Sequence, residues 1–70
     1  MAQKLKFIDP NKIREMIAMQ GLQENAFAKQ HKLNPALFNQ YLNGRRQPIA
    51  RTAKRISKAL GKDISEIFTV

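Results

Sequence analysis

Glycine and proline punctuate this chain so regularly that they fix where helices can begin and end. All three glycines, Gly21, Gly44 and Gly61, fall just after a stretch with helical spacing. All three prolines, Pro10, Pro35 and Pro48, fall at or just before the start of one. Glycine accepts the left-handed backbone that closes a helix, and proline at a first helical position lacks only an N–H that the helix would leave unpaired. The punctuation predicts an all-α chain of five helices, the last short, in a single domain over residues 1–70. Residues 1–9 are expected to form a basic N-terminal arm or a short extended segment that tucks Phe7 and Ile8 onto the core.

The first helix opens at Asp9-Pro10, with Asp9 as N-cap, and turns Ile13 and Ile17 inward before Gly21 ends it and Leu22 packs beyond. A second runs from about Glu24 to His31, with Gln23 as a poor cap, Phe27 and Ala28 inward, and Ala28 small enough to allow a close helix crossing. His31 stands one turn after Phe27 and reads as a partly buried core residue rather than a ligand. Leu33 plugs the core between two helices, and Asn34-Pro35 starts the third, whose apolar stripe is Phe38, Tyr41 and Leu42. Ile49, Ala53, Ile56 and Leu60 share one face of the fourth helix, while Arg51, Lys54, Arg55, Lys58 and Lys62 share the other. Asp63-Ile64-Ser65-Glu66 has the form of a capping box for the fifth.

A domain of 70 residues buries a limited core, so its stability alone is modest and a dimer is a natural remedy. Thirteen Lys and Arg stand against five Asp and Glu, for a net charge of +8 and a pI near 10.5. That balance favours a polyanionic partner. With no cysteine and one histidine, no metal site, disulfide or histidine-based nucleophile set can be assembled, so neither an enzyme nor a bound cofactor is expected. No apolar run approaches bilayer length, and a cytoplasmic location in a bacterium or phage-infected cell is the expectation, with no membrane partner.

Ile13-Arg14-Glu15, Gly21-Leu22, Phe27-Ala28-Lys29, Leu33-Asn34, Tyr41-Leu42-Asn43-Gly44-Arg45-Arg46, Pro48, Ala59-Leu60-Gly61, Ile64 and Ile67-Phe68 follow one another without a gap. This series resembles the Cro/repressor-type (lambda-repressor-like) helix-turn-helix proteins of phages and bacteria over residues 11–68. The resemblance implies a compact five-helix bundle in which helices two and three form the helix-turn-helix, and a dimer on pseudo-palindromic operator DNA. It implies base contacts from Pro35, Ala36, Asn39 and Gln40, and backbone contacts from Gln23, Lys32, Asn34, Asn43, Arg45 and Arg46. Chemically, Gln and Asn can pair with adenine, Pro35 and Ala36 offer apolar contact to a thymine methyl, and the arginines suit phosphate. Glu24 stands where the family usually has Gln, Lys32 where it usually has Gly, and Leu37 and Leu42 where it is usually polar.

Two functions follow. One is a sequence-specific transcriptional regulator, a Cro-like repressor that binds double-stranded operator DNA as a homodimer and excludes polymerase, with Ile67, Phe68 and Val70 as dimer contacts and Phe7 and Ile8 as possible additions. The alternative is a protein-binding regulator on the same scaffold, an antitoxin-like or anti-repressor partner, to which Glu24, Leu37 and Leu42 point.

Overall fold

Each predicted helix forms, and a small sheet joins them. The computed structural model describes residues 4–70, so the first three residues of the expected arm lie outside the described residues. In chain order the elements are β1 (Lys6–Phe7), α1 (Pro10–Met19), α2 (Glu24–Gln30), α3 (Pro35–Leu42), α4 (Ala50–Leu60), α5 (Ile64–Ile67) and β2 (Phe68–Thr69). The all-α expectation is therefore corrected to a mostly helical chain with one antiparallel two-stranded sheet, in which Lys6 faces Thr69 and Phe7 faces Phe68.

The caps follow the sequence. Asp9 Oδ1 accepts from the Asn11 N–H at 3.1 Å, and Asn34 Oδ1 accepts from the N–H groups of Ala36 and Leu37 at 2.9 and 3.2 Å. Such a cap contributes about 1 kcal/mol. Gln23 makes no side-chain cap to α2. Glu66 Oε2 accepts from the Asp63 N–H at 3.1 Å, the reaching-back half of the capping box. Lys32 is left-handed at φ 59°, the conformation that a glycine would adopt without strain.

One core holds the helices together. Phe27 and Phe38 sit with ring centroids 5.5 Å apart, Phe7 meets Phe38 edge-on at 6.5 Å, and Phe7 stacks on Phe68 at 4.6 Å. Ile13, Ile17, Ala28, Ala53 and Ile56 fill the space around these rings. Each large apolar side chain buried there contributes about 1.5–3 kcal/mol. His31 is half-buried, its ring 4.7 Å from that of Phe27.

Four expectations about apolar residues change. Ile8 does not tuck in with Phe7: alternation along an extended segment sends neighbours to opposite faces, and Ile8 is 56% exposed. Ile49 is the N-cap of α4 and bridges to Lys4, so it lies at the rim and not on the buried face of that helix. Leu42 is 2% exposed, a core residue and not apolar surface. Ile67 and Phe68 are 3% and 4% exposed because this chain's own β1 and helices cover them, so they are not free for a dimer contact. Of the three residues expected there, Val70 alone remains exposed, at 70%.

Candidate nucleic-acid interface

The candidate surface is organised by α3, and α3 has three distinct sides. At 100° per residue, Phe38 and Leu42 point to the core and Ala36 and Gln40 point directly away from it. Asn39 and Asn43 fall on one flank, and Leu37 and Tyr41 on the other. Burial follows this division except at one position: Phe38 and Leu42 are buried, Ala36, Asn39 and Asn43 are exposed, Leu37 and Tyr41 are half-buried, and Gln40, although opposite the core, is half-buried as well. Pro35, at the first helical position, is half-buried as well.

Cations stand at both ends of this helix. Lys32 is exposed in the connection before it. After it, Gly44 at φ 75° closes a Schellman turn: its N–H reaches the Tyr41 carbonyl at 3.3 Å, and the Arg45 N–H reaches the Gln40 carbonyl at 2.9 Å. The Arg46 N–H also reaches the Gln40 carbonyl, at 3.3 Å. These bonds hold the backbone of both arginines against the end of α3 while their side chains stay exposed. Gln23 is exposed at the start of α2.

The asparagine flank is engaged in a network that periodicity within one helix does not reveal. Arg14 on α1 donates from Nε to Glu24 Oε1 at 2.9 Å, from Nη1 to Asn11 Oδ1 at 3.1 Å and from Nη2 to Asn43 Oδ1 at 3.1 Å. Asn43 Nδ2 donates to Asn39 Oδ1 at 2.9 Å, and Asn39 Nδ2 donates to Glu24 Oε2 at 3.5 Å. Three helices are thereby tied at one corner. Each polar group of Asn39 and of Asn43 has one partner within the chain, which orients these exposed amides, whereas the Gln40 side chain makes no such bond among the described residues. Asn34 keeps only its amide nitrogen, since its oxygen caps α3.

The network also changes the meaning of Glu24. Its carboxylate is ion-paired with Arg14, which offsets the repulsion that a bare carboxylate would present to an anion. Arg14 and Asn11 are the residues that sequence reasoning missed at this surface. Arg14 lies 10 positions from Glu24 and 29 from Asn43, and no spacing within a single helix connects them.

Among the described residues, no group of three or more His, Asp or Glu is placed to hold a metal ion, and no helix is long and apolar enough to cross a membrane. Compared with protein-family models, with curated proteins and with solved structures, the chain has no match.

Proposed function

We propose that this chain is a sequence-specific DNA-binding regulator in which α2 and α3 act as a helix-turn-helix and α3 enters the major groove. One observation carries the reading: the line through Ala36 and Gln40 faces directly away from the core and is bracketed by Lys32 at one end and Arg45 and Arg46 at the other. An α-helix with its side chains is about 10–12 Å across, which is close to the width of the major groove. Gln40 can pair bidentately with adenine, Ala36 can meet a thymine methyl, and the bracketing cations suit phosphates on either side of the groove. Asn39 and Asn43 then act chiefly by fixing the angle of α3 against α1 and α2.

In this reading two copies bind an inverted repeat, with their α3 helices about 34 Å apart, and repress by excluding polymerase. Ile8 and Val70, next to the small sheet, are exposed apolar groups that a second copy can cover, as are Met19 at the end of α1 and Ile49 before α4. The protein-binding alternative loses two of its three supports, because Leu42 is in the core and Glu24 is paired with Arg14.

Selection from random duplex DNA tests the proposal. The expected result is an inverted repeat bound at least about 10³-fold more tightly than a scrambled duplex. Gln40→Ala should relax preference at one base pair of each half-site by about 1–3 kcal/mol. Salt-sensitive binding with no sequence preference would sink the proposal.

A further inference from the structure

Beyond α3, the outer face of α4 carries charge that forms no ion pair among the described residues. Arg51, Lys54, Arg55 and Lys58 are all exposed and lie within roughly 100° of arc on one side of the helix. Directly opposite are Ala53, Ile56, Ser57 and Leu60, all buried. Lys62 continues the line past Gly61, beside Lys54 and Lys58 at the groove next to α5.

The carboxylates are engaged in other contacts, although Asp63 also lines the groove beside Lys54, Lys58 and Lys62. Asp9 caps α1, Glu24 pairs with Arg14, and Asp63 and Glu66 form the start of α5, which leaves Glu15 on α1. Among the described residues the Arg14–Glu24 pair is the single salt bridge. The stripe is also continuous with the α3 surface, because Arg55 and Thr52 line one groove with Leu37, Tyr41 and Lys32.

We infer that the outer face of α4 is a sequence-indifferent contact for the phosphate backbone of duplex DNA, extending the α3 surface along the same duplex. The inference rests on the proposed function for the identity of its partner. Two features favour a nucleic acid over other anions. The apolar side of α4 is committed to the core, so this helix has no face to insert into a lipid surface. The exposed side offers cations with no aromatic anchor among them, whereas protein interfaces gather their energy on buried aromatic and apolar anchors. A row of cations spanning about 10 Å of helix suits the regular charge of a phosphate strand, and each phosphate neutralised releases counterions.

Two triple variants with equal charge loss test this. One removes the stripe (Lys54→Gln, Arg55→Gln, Lys58→Gln) and the other removes exposed lysines elsewhere (Lys4→Gln, Lys6→Gln, Lys12→Gln). Glutamine forms helix nearly as well as lysine, and equal thermal midpoints would verify that both variants fold. Affinity for the selected and the scrambled duplex is then measured from about 50 to 300 mM salt. The stripe variant should bind both duplexes about tenfold or more weakly at low salt, with the ratio between them unchanged. Its plot of log affinity against log salt should lose about 2 from its slope, near 0.9 per phosphate contact. The control variant should lose less than about 0.5. Equal slope losses in the two variants, an unchanged slope in the stripe variant, or a collapse of the specific ratio alone would each overturn the inference while leaving the DNA-binding function standing. Wild-type protein that binds polyglutamate or anionic vesicles but no duplex at about 50 mM salt would overturn both.

Discussion

Arg14 on α1 and Arg55 on α4 carry the same guanidinium, but the chain treats them differently. Arg14 donates to a carboxylate and two asparagine oxygens, and with them it joins three helices. Arg55 and its neighbours meet no carboxylate among the described residues. Charge counted from the sequence therefore overstates what a partner can use at one corner and describes it fairly along α4. A related distinction separates Asn39 from Gln40: one step along α3 takes a side chain from a hydrogen-bonded network to a half-buried position with no side-chain partner among the described residues.

The largest test concerns the core on which both surfaces depend. Phe68→Ala should cost about 3–5 kcal/mol in denaturant unfolding, because it removes a ring stacked on Phe7 inside the chain. A cost under about 1 kcal/mol accompanied by a change in self-association would mean that Phe68 faces another copy instead. Next, Arg14→Ala should destabilise by about 1 kcal/mol; its pair with Glu24 is about one-third exposed, and solvent screening limits the value of the pair. In a double-mutant cycle, Glu24→Ala should add little once Arg14 is gone. The stripe variant of α4, by contrast, should change stability by no more than about 0.5 kcal/mol. If the stripe variant cost as much as Arg14→Ala, the distinction between braced and open charge would be lost. At the connection before α3 the sign reverses: Lys32→Gly should stabilise by about 0.5–1 kcal/mol by relieving the left-handed backbone, and should weaken the proposed DNA binding by removing a cation. A loss of stability there would show that the Lys32 side chain makes a contact worth more than the strain.

What could be read from the sequence was local chemistry. Caps at Asp9 and Asn34 and the closing glycines depend on residues within a turn of one another, and all took the expected form. The inward faces of α1 and α2 followed from spacing for the same reason. A short extended segment around Phe7 was one of two readings of the first nine residues, but its partner Phe68–Thr69 is too short for a period of two to register, so the pairing emerged only in the fold. Nor could spacing reveal that Arg14 would meet Glu24 and Asn43, since that depends on how three helices cross. Ser57 is another such case: a polar residue on the buried side of α4, its hydroxyl satisfied by the Ala53 carbonyl at 2.9 Å. That Asn39 and Asn43 would sit on the surface of α3 was legible from its spacing, but their engagement with Arg14 and Glu24 was not.

The pairing of Phe7 with Phe68 has a kinetic consequence. Those residues are roughly sixty positions apart, whereas α2 and α3 meet across a connection of a few residues. Closing a loop that long is entropically dearer than closing the short one, by an amount that grows with the logarithm of loop length. The small sheet is thus expected to zip after the α2 and α3 pair has formed. On the native side, opening the sheet draws Phe7 and Phe68 out of the core and away from Phe38, so its amides should exchange little faster than those of the helices packed on them.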